Sequence, residues 1–331
     1  MISESKLSIL RCPVCKKDLC QEQNYLVCTD CHTKFPVIDN IVVFLTRDDL
    51  TNFLGEAWGS ELKKENHGNF ASNEDTPDYL ESICKDAAKT VNRSRWLATA
   101  PGLSESERKK AEEATWPFID LDMPEEAKKA IAKSRERVVE LSRASSAKRV
   151  LDWPTGPGYC LHYLANHVSP QTLVVALDVN FGMLARRKIY FDEYGLSDNV
   201  LLVAADARNM PFVDNTFSSV TVWGGTIEIE NAEAGFKETH RVLESGGWVG
   251  VSGDQYSENS ASIEICKKLG LYSLATRNRL ESTMKRIGFN NLEYEILFEG
   301  YDMDLDTPDE DRCPLPARGD WYQHIAASVQ K

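Results

Sequence analysis

Val150-Leu-Asp-Trp-Pro-Thr-Gly-Pro-Gly158 and, one helix later, Val174-Val-Ala-Leu-Asp178 decide how this chain folds. Val150 and Leu151 close an apolar run that reads as a buried strand. Gly156 and Gly158 supply a tight turn, and Tyr159 to His167 reads as the helix that follows. The next apolar run, Leu173 to Leu177, ends in Asp178. An acid at that point of a parallel α/β sheet is placed to accept ribose hydroxyls.

Working outward, the alternation continues with a helix from Gly182 to Tyr194 and strands at Val200–Ala204 and Ser218–Trp223. A helix at Ala232–Leu243 and a strand at Trp248–Ser252 come next, and the last two strands are Phe289–Leu297 and Tyr322–Ser328. Strands alternating with helices predict an α/β, doubly wound parallel sheet over residues 148–331. Residues 48–147 show no strand pattern and read as a helical segment. Tyr79 to Val91 has helical apolar spacing, Ser104-Glu-Ser-Glu107 has capping-box spacing, and a helix opens at Pro124 and runs to Ser142. Its aromatics, Trp58, Phe70, Tyr79, Trp96, Trp116 and Phe118, read as ordinary core or as the apolar face of a lid. Lys128, Lys129, Lys133, Arg135, Arg137, Arg143, Lys148 and Arg149 are a basic concentration, and Glu125, Glu126, Glu136 and Glu140 pair it into a solvated face.

Ahead of this, residues 1–47 carry Cys12-Pro-Val-Cys15 and Cys28-Thr-Asp-Cys31. Two such knuckles bring four thiolates round one tetrahedral zinc and leave no open coordination position, so the metal is structural. Cys20 and His32 are surplus to that set. A module this small has little core of its own, so metal binding supplies its folding energy.

The 331 residues suggest two or three units, and 42% are hydrophobic, enough for a sizeable core. With 38 basic against 51 acidic residues the net charge is −13, a field that repels RNA unless a local basic face overcomes it. No apolar run approaches a membrane span, and Met1-Ile-Ser-Glu-Ser-Lys6 is too polar for a secretory start. The expected compartment is cytoplasmic. The acidic stretch Glu299 to Asp311 lacks the glycine and closing glutamate of a calcium loop.

These residues resemble the class I S-adenosylmethionine-dependent methyltransferases, in particular the ubiquinone/menaquinone type. That family's first motif is an acid followed by three alternating glycines. Asp152, Gly156 and Gly158 match it, and Pro154 stands at the first glycine. Proline has no N–H and a fixed φ, so the loop must turn by a variant route. Met210 to Ser218 resembles the family's LPF-x-D-x-(S/T)-F-D run, with Ser218 in place of the last acid, and Arg241 to Ser252 resembles its R-V-L-K-P-G-G run. The resemblance implies a Rossmann-like seven-stranded sheet whose last pair is antiparallel. It also implies a cofactor site. Asp152 would serve the loop or the cofactor ammonium, Gly156 and Gly158 the close approach of backbone, Asp178 the ribose, Asp206 and Ala207 the adenine, and Trp223 the methionine half.

The family's motif for amide and exocyclic amine nitrogens is missing, as is a Pro-Cys nucleophile for pyrimidine carbon. His162, close behind the glycine loop, is a candidate general base. The N-terminal module is similar to the zinc ribbon of rRNA guanine methyltransferases and to the small ribbon subunits that activate tRNA and protein methyltransferases. The implied activity is in-line methyl transfer to a small-molecule acceptor, with a protein partner for the ribbon in reserve. The alternatives are an rRNA or tRNA base methyltransferase and a non-catalytic scaffold.

Overall fold

The computed structural model describes residues 2–45, 76–99, 125–303 apart from 157, 194, 196, 227, 228 and 230, and 314–331. In chain order the ribbon supplies α1 (Glu4–Leu7), β1 (Leu19–Glu22), β2 (Tyr25–Cys28), β3 (Lys34–Ile38) and β4 (Ile41–Val43). The helical segment supplies α2 (Thr76–Thr99) and α3 (Glu125–Leu141). Then come β5 (Arg149–Asp152), α4 (Tyr159–His167), β6 (Leu173–Asp178), α5 (Phe181–Glu193), β7 (Val200–Ala204), β8 (Phe217–Trp223) and α6 (Ala232–Val242). β9 (Leu243–Tyr256), α7 (Ala261–Lys268), α8 (Arg277–Ile287), β10 (Asn290–Tyr301) and β11 (Trp321–Gln330) complete the chain.

The seven strands expected from the alternation lie in the order β7-β6-β5-β8-β9-β11-β10, the first five parallel and the last two antiparallel. Successive residues of a strand face opposite sides, and both sides here are covered. Leu151, Val175, Leu177, Leu201 and Val203 join Phe236 of α6 and Leu280 of α8 in one core. Val150, Val174, Ala176, Leu202 and Ala204 join Leu80 of α2, Val138 of α3, Leu161 of α4 and Leu184 of α5 in the other.

The sheet does not stop at β7. Ile41–Val43 of the ribbon pairs in parallel with Leu202–Ala204, so the ribbon's four strands and the seven form one eleven-stranded sheet. β4 even alternates between the two cores, Val42 entering the first and Ile41 and Val43 the second. Polar ties surround this seam. The Phe44 amide donates to Ala204 O at 2.8 Å, Lys6 Nζ to Val200 O at 2.9 Å, and the Val213 amide to Ile9 O at 3.0 Å. Lys188 of α5 reaches Asp39 in the ribbon's last turn at 3.4 Å.

Two expectations shift. β9 runs from Leu243 to Tyr256, where the sequence predicted a strand over Trp248–Ser252 alone. α7 and α8 were not anticipated, although each carries a cap. Ser260 Oγ accepts from the Ile263 amide at 3.3 Å, Thr276 Oγ1 from the Arg279 amide at 3.4 Å, and Gly288 closes α8 at φ 115°. The expected capping box at Ser104 to Glu107, and Trp58, Phe70, Trp116 and Phe118, lie outside the described residues.

Candidate functional site

The metal site is built first, by the two knuckles. Cys12 and Cys31 approach at 3.7 Å between sulfurs, Cys15 and Cys28 at 3.3 Å, and all four sulfurs lie within 4.8 Å of one another. Sulfurs about 2.3 Å from a tetrahedral zinc stand about 3.8 Å apart, so the cluster fits the ion. The Asp30 and Cys31 amides point at Cys28 Sγ, at 3.5 and 3.4 Å, as second-layer donors to a thiolate. Cys20 turns its thiol to Val27 O, and His32 occupies an exposed left-handed turn. Neither joins the cluster.

At the carboxyl ends of the three strands beside the ribbon, three acids form a staircase. Asp152 ends β5 and pairs with Ala176, two residues before Asp178. Asp178 ends β6 and pairs with Ala204, two residues before Asp206. Each acid therefore stands one step higher on the next strand. Asp152 is fully buried, with Oδ1 accepting from Thr221 Oγ1 at 2.7 Å and Oδ2 without a hydrogen-bond partner. Burial pushes its carboxyl up to about 6. Asp178, also buried and shifted upward by burial, accepts the Gly156 amide at 2.6 Å and the Asn180 amide at 2.7 Å. It thus holds the glycine loop as well as its own strand end. Asp206 caps a short turn and takes Arg208 through the amide at 2.8 Å and the guanidinium at 2.9 to 3.0 Å, with Ala207 buried behind it. The arginine therefore shares the acid that the sequence reading gave to adenine.

Pro154 departs from the motif, and the structure shows what takes up the space. An ideal Cβ on Gly225, after β8, would lie 2.6 Å from Pro154 Cγ. The glycine the loop lacks stands opposite it. Trp153 is buried beneath, edge-on to Phe236 at 5.3 Å, where a Cβ on Gly235 would meet its ring at 2.6 Å. Trp223 ends β8, donates from Nε1 to Ser134 Oγ of α3 at 2.8 Å and meets Tyr159 edge-on at 5.5 Å.

Residues 150–247, which hold the staircase, match the family of methyltransferase domains, and residues 6–40 match the Trm112p-like proteins. That segment is thus similar to a methyltransferase domain. It is 32% identical over 169 residues to the ubiquinone/menaquinone biosynthesis C-methyltransferase UbiE of Pseudomonas paraeruginosa, covering 51% of this chain and 63% of that protein. It is 31% identical over 162 residues to the biotin biosynthesis bifunctional protein BioHC of Teredinibacter turnerae, covering 46% and 28%. The chain thus spans less than two thirds of the curated relatives it matches. Among solved structures the [4+2]-cyclase SpnF superposes with a TM-score of 0.47 at 18% identity, covering 60% of this chain and 80% of that one. Phosphoethanolamine N-methyltransferase 2 of Haemonchus contortus with S-adenosylmethionine gives 0.46 at 18%, covering 60% and 52%.

Three features of this part of the chain escaped the sequence reading. Arg187 of α5 is 7% exposed and lies over Gly158, where a Cβ would sit 2.6 Å from its Cδ. Burial pulls its guanidinium down to about 10, and Nε and Nη1 have no partner. Cys160, two residues behind Gly158, is buried beside Asp152. Asp254 of β9 accepts a 2.7 Å hydrogen bond from His324 of β11. The candidate base His162 stands on the flank of α4, where burial first and Arg135 and Arg187 second hold its pKa below the usual value. Nothing in the local sequence pointed to Arg187 or His324. The first is one charge on a helix of mixed faces, and the second gains meaning only from strand pairing.

Two expected results follow from this geometry. The raised Asp152 pKa means the folded state holds a proton between pH 3.8 and about 6 that the unfolded chain releases, so stability falls as pH rises through that window. The charge costs about 3 kcal/mol above it. Asp152→Asn should therefore flatten urea-unfolding stability between pH 4 and 6 and raise it at pH 8, while weakening cofactor binding; an unchanged pH dependence would refute the assignment. Gly225→Ala meets a rigid ring at φ 62° and should cost about 2–4 kcal/mol. Pro154→Ala in the same chain should recover more than half of that, read as coupling in a double-mutant cycle.

Proposed function

We propose that the chain is an S-adenosylmethionine-dependent methyltransferase acting on a small-molecule acceptor. One observation carries the proposal, the staircase of Asp152, Asp178 and Asp206 on three adjacent parallel strands. Strands lie about 4.8 Å apart and each acid stands two residues, about 6.6 Å, further along than the one before, so the three backbone positions span about 16 Å, room for an ammonium, a ribose and an adenine to be recognised in turn. The fit has a physical sign. Asp152 Oδ2 is buried beside Cys160 with no close hydrogen-bond partner, and a cationic amino group there would offset the cost of burying the carboxylate.

The cofactor brings a methyl group already activated on a cationic sulfur, so the protein's work is positioning and the exclusion of water. Asp152 receives the ammonium, Gly156 and Gly158 let backbone approach, and Asp178 accepts ribose hydroxyls. Asp206 and the Ala207 amide face the adenine, and Trp223 bounds the methionine half. We take residues 1–47 as a structural zinc ribbon, 48–147 as a helical lid segment and 148–331 as the methyltransferase domain. Four thiolates leave the zinc no catalytic position.

The ribbon's docking in cis weighs against an RNA role and against a separate partner for it. Lys16 is bound to Asn209, Lys6 to Val200, and the whole chain carries −13. No described helix is long and apolar enough to cross a membrane, and the eight described cysteines are unpaired. A reducing, cytoplasmic setting suits them. Calorimetric titration of the zinc-loaded protein with S-adenosylmethionine and S-adenosylhomocysteine tests the proposal. One-to-one micromolar binding is expected, and no binding by the folded protein would overturn it.

A further inference from the structure

On the α6 and α8 side of the sheet, beside the end of β9, lies a cavity of about 40 Å³. Gly253 opens it. Alternate residues of a strand share a face, and Gly253 brings no side chain to the face that Val251 and Gln255 occupy. A Cβ built there would meet nothing closer than Thr226 Oγ1, at 3.8 Å. Phe236 of α6, Leu280 of α8, Leu274 in the link between α7 and α8, and Ile325 of β11 form apolar walls. Gln255, 4% exposed, adds a polar group to them. Its Oε1 accepts from the Tyr294 hydroxyl at 2.7 Å, and its Nε2 donates to Leu274 O at 3.4 Å. A carbonyl only accepts, so that contact fixes the amide's orientation and leaves the second Nε2 hydrogen for a ligand oxygen. The rim of the cavity meets the cofactor loop. Trp223, Gly224, Gly225, Thr226 and Gly253 are all half-buried. Gly225 packs on Pro154 of the glycine loop, and Thr226 and Gly253 line the cavity. Trp223 pairs with Ser252, so by strand spacing and rise the Gly253 backbone stands about 6 Å from that of Trp223.

We infer that this cavity seats one branch of the methyl acceptor, and that the acceptor is a neutral molecule with a hydrogen-bond-accepting oxygen beside a short aliphatic branch. The inference rests on the methyl-transfer proposal, which puts the cofactor's methionine half at Trp223. Size sets the branch. A water-sized group needs about 10–15 Å³ of such space, so the 40 Å³ here holds about three non-hydrogen atoms, an isopropyl group rather than a ring. Charge sets the rest. Among the described residues no lysine or arginine lines the cavity, so a carboxylate or phosphate would enter without a cation to pair it. An uncharged oxygen needs one donor, and the Gln255 amide has one to give. With its branch held here, the remainder of the acceptor lies along the half-buried strip toward Trp223, where its reacting atom meets the methyl group. The cavity thus supplies position, which is what transfer from an already activated sulfonium requires.

The test uses the full zinc-loaded chain, labelled at its leucine, isoleucine and valine methyls, with isobutyramide as the probe. Titration with S-adenosylmethionine comes first, and if the parent does not bind it, the methyl-transfer proposal is what fails. With the cofactor bound, isobutyramide should move the methyl resonances of Leu274, Leu280 and Ile325. Isobutyrate, alike in shape but anionic, and pivalamide, one carbon bulkier, should each bind about tenfold more weakly or worse. Gly253→Ala places a methyl group in open space, so the melting temperature should not fall and cofactor affinity should stay within about twofold. Its affinity for isobutyramide should drop about fourfold, and that of Gly253→Val, which fills more of the cavity, about 50-fold. When the cofactor carries carbon-13 in its methyl group, a nuclear Overhauser effect should join that methyl to the probe's amide protons. A cofactor-loaded parent whose three residues do not respond to isobutyramide would overturn the inference. So would isobutyrate binding as tightly as isobutyramide, both Gly253 variants binding the probe like the parent, or a bound probe with no Overhauser effect to the methyl group.

Discussion

Cys28→Ser, or removal of zinc by a strong chelator, should lower the melting temperature by well over 10 °C and drive the protein into aggregates. Structural zinc in small modules contributes about 10–16 kcal/mol to folding, and this ribbon has little else. Its own strands are of three to five residues. The loss would not stay local. β4 is hydrogen-bonded to β7, and Val42 and Phe44 pack in the core that holds Leu201, Val203 and Phe212. Once the ribbon unfolds, β7 becomes a bare apolar edge, the feature that templates association. Calorimetric melting with and without chelator, with light scattering alongside, measures both effects. A melting temperature within about 2 °C of the parent would mean that the ribbon folds without its ion.

Asp178→Ala should abolish detectable S-adenosylmethionine binding, a loss of at least 100-fold by titration, with the fold intact by circular dichroism. Charged hydrogen bonds contribute about 1.5–3 kcal/mol each, and the ribose offers two. The structure adds a second loss, because Asp178 also accepts the Gly156 and Asn180 amides. Without the carboxylate the glycine loop loses its anchor to β6. Asp178→Asn separates the two roles. It keeps one acceptor oxygen, so it should hold the loop partly while still binding at least tenfold more weakly. Unaltered affinity in both variants would remove Asp178 from the cofactor site.

The strand, loop and helix around Asp152 and the two cysteine knuckles were legible because their signals are local: a glycine pair, an apolar run, a fixed spacing. The seven strands, parallel but for an antiparallel last pair, followed from the alternation and the family resemblance. What was not legible depends on pairing across long separations. Ile41-Val-Val43 read as the tail of the ribbon, yet its partner is Leu202–Ala204. Asp254 and His324 are 70 residues apart and meet only because β9 and β11 are antiparallel in that register. Pro154 read as a loss to the loop, and its compensation at Gly225 lies on another strand's exit. α7 and α8 had capping residues in plain view, but their apolar content is small and the polar faces hid the period.

The join between β4 and β7 also bears on gene dosage. A ribbon that serves catalytic chains as a separate subunit is shared among clients, and each client's active fraction then varies with the supply of ribbon and with competition for it. Here the ribbon is covalently tied to the strand it covers, so the stoichiometry is one to one at any expression level and dilution cannot part the two. Overproducing this chain should neither starve other clients of a common subunit nor need one co-expressed.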